Sequence, residues 1–330
     1  DYMKKKLNKN IIITGGSGYI GIHLIYILYK YKNYNIIVLD KNNHSFIKKH
    51  KIKFFKTDLK NSYKLNKIFK KIKPFLVIHL SGLAFIEESF ARTKLYETNN
   101  QLVSLNILNV MKNNNCKNIL FSSSCLVYGN NNYKDENFSK LMGLSPYAKN
   151  KIYIEKKIHS FSKMYGLNFC ILRFFNVAGV LGGKYKIGFN KISGNRIVPI
   201  ILESIIKNKT LNINGDNYDT PDGTAIRDFI HPLDIGEFIK KMLKNFEREK
   251  FNEIVNLGSG RGYSIRQLIK IGLKVTNKKN VKILTKKKRK GDAPILKANI
   301  QKARKKFNWK PVNSNINKIM QSSYQCYIYK

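Results

Sequence analysis

Apolar residues recur along this chain in two alternating rhythms. Short runs that are apolar at nearly every position lie at residues 10–13, 35–40, 53–55, 75–80, 118–121 and 169–174. Segments of helical period lie between them, the first over residues 18–31. Short unbroken apolar runs bounded by turn residues predict strands buried on both faces. Strand, helix and strand repeated this often predict an α/β fold, a doubly wound, Rossmann-type parallel sheet covered by helices on two sides. After residue 176 the rhythm fails: glycines and prolines become frequent and the elements shorten. One late apolar run, 254–258, predicts a strand that returns to the first sheet. The chain therefore divides into a doubly wound domain, 1–176, and a smaller C-terminal α/β lobe made mainly from 177–330.

With 330 residues, 43% of them hydrophobic and 12% aromatic, there is enough apolar surface for a sizeable core, so a disordered chain is excluded. Charge is the oddity. Lys plus Arg number 62 against 20 Asp plus Glu, a net +42. Such an excess normally points to nucleic acid or an anionic membrane. Here the lysines are scattered through almost every segment beside abundant Asn and Ile, and no nucleic-acid module motif appears. The excess reads as a background bias, and the basic run 286–290 as solvated surface rather than a localisation tract. Cys116, Cys125, Cys170 and Cys326 stand far apart and the six histidines stand singly, so neither a disulfide framework nor a metal site is indicated. A cytoplasmic protein is expected. Membrane insertion is not, because no apolar stretch approaches the roughly 18 residues of a span, and residues 1–6 lack the apolar stretch of a signal peptide.

Residues 14–21 read T-G-G-S-G-Y-I-G, directly after the first strand and opening the first helix. Gly15 suits the tight turn, Gly18 the approach of a pyrophosphate to the positive helix end, and Gly21 the contact of helix with strand. A glycine-rich turn without a ligand is the bland alternative. Context decides against it: the second predicted strand ends at Asp40, nineteen residues beyond Gly21, where a carboxylate accepts from ribose hydroxyls and repels a 2′-phosphate. NAD is thus expected rather than NADP. The third strand ends in Asp58 and Leu59, placed to face the adenine, with a helix cap as the other reading of Asp58.

The second constellation is Y-x-x-x-K, Tyr147 and Lys151, four apart and hence on one helix face. A free phenol has a pKa near 10 and is a poor base at neutral pH, so a neighbouring cation matters. Upstream, the fifth strand runs into Ser122, Ser123 and Ser124, small hydroxyls at the carboxyl end of a parallel strand, where ligands bind in this architecture.

Serine, tyrosine, lysine and a dinucleotide loop in this order resemble the extended short-chain dehydrogenase/reductase family, and within it the UDP-glucose 4-epimerases. The resemblance spans nearly the whole chain: residues 14–21, 77–83, 121–129, 145–149, 172–176, 215–231 and 256–260 carry it, the segment 215–231 most specifically. The acidic pair usual beside the catalytic hydroxyl in the family's 4,6-dehydratases is here Cys125 and Leu126, which argues against elimination. The resemblance implies that Tyr147 takes the proton from the sugar 4-hydroxyl as its C4 hydride moves to NAD, and that Ser124 bonds the same oxygen. It further implies that Lys151 holds the nicotinamide ribose and depresses the tyrosine pKa. The 4-keto sugar then turns and takes the hydride back on its other face. Cofactor contacts implied are Tyr19, Ile20, Leu80, Asn99, Ser122 and Phe174. Arg227 and Arg289 are implied as the diphosphate clamp, with Asn176, Arg196, Asp292 and Leu296 as further substrate contacts. For Arg289 a solvated surface charge is the other reading. Leu296 stands where a large aromatic excludes N-acetylated sugars. A UDP-hexose substrate and a homodimer follow by the same likeness, the helices around 94–111 and 147–165 pairing through Leu102, Leu105, Leu108, Ile152 and Ile158. Departures are Ala84 in place of a cofactor-contacting Lys, followed by Phe85 and Glu87, a short stretch between Asp40 and Asp58, and a recast 184–196 loop. Competing readings are a 4-epimerase of UDP-N-acetylhexosamines or UDP-uronates, and a non-catalytic dinucleotide sensor.

Overall fold

The computed structural model describes residues 9–130, 134–137, 140–181, 196–247 and 250–328. The segment before Lys9 and the recast loop up to residue 195 lie outside them. The strands in chain order are β1 (Lys9–Thr14), β2 (Tyr34–Asp40), β3 (Lys53–Lys56), β4 (Leu76–His79), β5 (Asn118–Ser124) and β6 (Asn168–Phe174), then β7 (Asn176–Val177), β8 (Leu211–Asn214), β9 (Ile226–Ile230) and β10 (Asn252–Leu257). Three short ones follow: β11 (Gly262–Ser264), β12 (Ile283–Lys286) and β13 (Ile295–Leu296). Seven form one sheet in the order β10-β6-β5-β4-β1-β2-β3, every pairing parallel.

The unbroken apolar runs have a direct cause. Alternation sends Ile11 and Ile13 to one face of the sheet, packed with Leu24, Val38 and Phe238, and Ile12 to the other, packed with Phe69, Ile107 and Ile158. All three isoleucines are fully buried, worth roughly 1.5–3 kcal/mol each. The helix Pro232–Asn245 lies on the helix Tyr19–Tyr31 at very close range, since a Cβ on Gly236 would come within 2.1 Å of Ile27. With β10 bonded to β6, residues 232–257 thus complete the first sheet from within the sequence of the second lobe. That lobe has its own core of Ile201, Leu202, Leu211, Phe229, Leu268 and Met320, and a small sheet in which β9 pairs with β7, β11 and β13.

Sequence and structure part at two places. The fifth strand does not stop at Phe121 but runs through Ser124, all seven residues buried. Of the apolar residues expected to pair across a two-fold axis, Leu108 and Ile158 are spent inside the protomer core, while Leu102 is 45% exposed.

Three histidines are built in as neutral rings. His23 donates from Nδ1 to the Tyr19 carbonyl and accepts on Nε2 from Leu181 N–H; His79 lies between the Thr14 and Ser104 hydroxyls; His231 caps a helix, accepting from Leu233 N–H. Burial pulls His23 and His231 down to about 4 and His79 to about 3. Between pH 6.5 and 4 only the unfolded chain binds these protons, so stability must fall as pH is lowered, by up to about 1.4 kcal/mol per unit for each ring. Asp228, raised by burial to about 6, opposes this below pH 6, and Asp234 and Glu136, also raised by burial, act in the same direction, while His159, lowered by burial, adds to the histidines. The urea midpoint is therefore expected to drop from pH 7 to pH 5; an unchanged midpoint would contradict the neutral-histidine account.

Candidate active site

The helix Pro146–Tyr165 begins where its sequence says it should. Ser145 caps it, its Oγ accepting from Ala148 N–H at 3.2 Å, Pro146 fills the first position, and Gly166 closes it at φ +64°. This start places Tyr147 in the first turn, Lys151 one turn on and Glu155 another turn on, a stripe on one face. That face meets the carboxyl end of β5. Lys151 Nζ donates to the Ser122 carbonyl at 2.6 Å and stands 5.8 Å from the centre of the Tyr147 ring, and the Ser124 hydroxyl lies on the phenol side, favouring its ionised form. Tyr147 is pushed up to about 12 by burial, with Ser124 and Arg196 pulling it back. Burial brings Lys151 itself down to about 8, against the pull of Glu155.

Behind the stripe is a buried ion pair that the sequence reading passed over. Arg173 Nη2 meets Glu155 Oε2 at 2.7 Å and Nε meets Oε1 at 3.2 Å, both side chains almost wholly buried. Ser123, in register with Arg173 across β5 and β6, donates to the same carboxylate. Arg173 continues to the Tyr128 hydroxyl at 2.9 Å, and Tyr128 to Asn256 on β10 at 2.8 Å. A lone arginine in an otherwise apolar strand was the available signal.

A cleft of about 360 Å³ opens beside this stripe. Its walls include Ser122, Ser124, Tyr147 and Lys151; Tyr19, Ile20, Leu80 and Phe174 on the glycine-loop side; Asn176 at the end of the first domain; and Arg196, Arg227, Arg289, Asp292 and Leu296 from the second lobe. The small sheet brings in Asn176, Arg227 and Leu296, with Asn176 opposite Phe229 and Leu296 opposite Arg227. Arg227 is almost buried, bonded to Asp292 and to the carbonyls of Ile226 and Pro294. Arg196 lies over the Tyr19 ring at 4.7 Å.

The glycine loop has the shape its spacing suggests. Gly15 is at φ +68°, where a Cβ would come within 2.8 Å of the Ser81 backbone, and a Cβ on Gly21 would lie 2.5 Å from the Gly15 carbonyl. Gly18 leads the helix without a side-chain cap. Asp40 accepts from Ser17 N–H at 3.0 Å, which pins the loop to the end of β2. The buried Ser17 hydroxyl has no partner among the described residues. A tight cradle, an uncapped helix start, an orphaned hydroxyl and a carboxylate at the neighbouring strand end fit a dinucleotide. Asp58 pairs with Lys41 at 3.1 Å and Lys60 at 3.5 Å, and the next helix is capped by Asn61, not by Asp58. Leu59 is buried in the core rather than standing at an open face. Asn99 turns to the Leu95 carbonyl of its own helix; its neighbour Asn100 is the buried one, holding Leu83 N–H and carbonyl at 2.8 and 3.1 Å. A π-helical segment, Glu97–Leu102, sets which of the two faces inward.

A family model described as the NAD dependent epimerase/dehydratase family matches residues 11–258. The chain belongs to this family. It is 31% identical over 324 residues to "UDP-glucose 4-epimerase 2" of Arabidopsis thaliana, covering 92% of this chain and 91% of that one. It is 30% identical to the UDP-glucose 4-epimerase of Lactobacillus helveticus, covering 96% of each. Among solved structures, the UDP-glucose 4-epimerase of Bifidobacterium longum in complex with NAD+ and UDP superposes with a TM-score of 0.85 at 27% identity, over 98% of this chain and 99% of that one. Glu155→Gln keeps the shape but strands the Arg173 charge, which should cost about 3–5 kcal/mol in chemical denaturation; a loss under about 1 kcal/mol would show the pair is not structural.

Proposed function

We propose that this chain interconverts UDP-glucose and UDP-galactose with NAD as its bound cofactor. The observation that carries the reading is the convergence of Ser124, Tyr147 and Lys151 with Arg227 and Arg289 in one cleft beside the glycine loop. NAD, when bound, supplies an acceptor for the C4 hydride that also returns it, so no net oxidation occurs. The residues supply the rest. Asp40 takes the adenosine ribose hydroxyls, and Lys151 serves the nicotinamide ribose and adds positive charge near the phenol. Burial holds Tyr147 up at about 12, so positive charge beside the phenol favours its action as a base on the 4-hydroxyl, while Ser124 holds the same oxygen. The two arginines anchor the diphosphate while the sugar turns. Residues 1–176, joined by 232–257, serve as the cofactor domain and the remainder as the nucleotide-sugar lobe. The four described cysteines are free and buried, which suits a reducing compartment such as the cytoplasm. Among the described residues no helix is long and apolar enough to cross a membrane.

One assay tests the chemistry: UDP-galactose is incubated with purified protein and the products separated. Tyr147→Phe is expected to keep NAD and lose roughly 10²-fold or more in turnover; wild-type turnover in the variant sinks the assignment. The same assay reads the sugar pocket. Leu296 is an adaptable aliphatic wall, so UDP-N-acetylgalactosamine should turn over more slowly but measurably, within the 1–3 kcal/mol or so that hydrophobic fit supplies. Leu296→Tyr should then abolish that side reaction, and an unchanged ratio of kcat/KM for the two sugars removes the gate. A homodimer belongs to the same reading, with the exposed Leu102 and the half-buried Leu105 and Ile152 at its contact; light scattering at micromolar concentration should give twice the protomer mass, and a monomer refutes it.

A further inference from the structure

Both arginines assigned to the diphosphate already hold a carboxylate, but the two carboxylates differ in origin. Asp292 reaches Arg227 from within the second lobe. Glu87 reaches Arg289 from the other side: it sits in the short helix Ile86–Ala91, just after β4 of the cofactor domain, and its Oε1 meets Arg289 Nε at 2.8 Å. Both side chains line the cleft, so this ion pair bridges the two lobes across the space the ligand must enter. Arg289 does not depend on Glu87 for its position. The Asn214 carboxamide on β8, with its oxygen turned to accept, lies 2.9 and 3.0 Å from Arg289 Nε and Nη2, on the lobe that carries the arginine.

A carboxylate on a guanidinium offers the same chemistry as a phosphate oxygen, acceptors on a planar fork. A diphosphate that arrives at Arg289 either displaces Glu87 or shares the fork with a like charge at short range. We propose that Glu87 is an internal competitor of the substrate diphosphate for Arg289, weakening nucleotide-sugar binding and favouring release. This rests on the reading of the cleft as a UDP-sugar site. The pair is part-exposed, Arg289 by 32% and Glu87 by 55%, so its influence is that of a screened surface pair, not of a buried one.

The test is calorimetric titration of the NAD-loaded protein with UDP, at about 50 mM and about 500 mM salt. Glu87→Gln should bind UDP about two- to fivefold more tightly than wild type at low salt, the gap closing at high salt. In an Arg289→Gln background the same change should have no effect, because the contested group is gone. Equal or weaker UDP binding by Glu87→Gln overturns the competition. So does a gain that persists without Arg289, which would make Glu87 a source of general repulsion. Failure of UDP to bind wild type and variant alike would instead overturn the proposed function, and this inference with it.

Discussion

The Arg173–Glu155 pair is the constraint on which the candidate site's geometry rests. Two charges cannot be taken out of water unless each finds its partner in good geometry, because an unpaired buried charge costs several kcal/mol. Glu155 is on the helix that carries Tyr147 and Lys151, Arg173 is on β6, and Ser123 joins them from β5 between Ser122 and Ser124, which line the cleft. Through Tyr128 the same chain of bonds reaches Asn256 on β10. Sliding the helix along the sheet by one residue would break the three bonds that Glu155 makes to Ser123 and Arg173. The apolar contacts beneath would tolerate it better, being less directional. The polar network therefore fixes the register of the reactive stripe, and the hydrophobic core supplies most of the stability.

The cleft itself is electrostatically divided. At its inner end Lys151 is buried against the Phe121 ring and the Ser122 carbonyl, and its depressed pKa means the ammonium is held at a cost there. That cost, and the high pKa of Tyr147, describe a site whose charges suit a ligand more than they suit each other. At the outer end the arginines are matched by Asp292 and Glu87. The large net charge of the chain plays little part in this arrangement. Most of it is lysine on the surface, where pairs such as Lys41–Asp58 and Lys207–Glu203 are exposed and screened.

Much of this could be read from the sequence. The doubly wound sheet was legible because a parallel strand buried on both faces must be apolar throughout, as at Ile11, Ile12 and Ile13, and because a glycine at φ +68° in a strand-to-helix turn leaves little choice of residue at Gly15. Tyr147 and Lys151 were legible because helical spacing puts them on one face wherever that helix packs. The cap by Ser145 and Pro146 even gave the place where the helix starts. The family likeness pointed to Asn176, Arg227 and Leu296 as well, of which Asn176 and Leu296 sit on two-residue strands too short to be seen as strands at all.

What the sequence could not decide were the contacts between distant segments. Choosing between Asn99 and Asn100 depends on a π-helical turn, which shifts the facing residue without any compositional mark. Leu59, Leu108 and Ile158 look alike whether they meet a ligand, a partner or their own core, since apolar burial is non-directional. Glu155 and Arg173 are eighteen residues apart and Glu87 and Arg289 two hundred and two, so neither pair leaves a local pattern. Periodicity and turn chemistry are properties of neighbours along the chain, and they settled the elements. Which charge meets which, and whether a tyrosine flanked by a lysine has a low or a high pKa, is set by desolvation and by partners brought from elsewhere, and only the tertiary structure decides that.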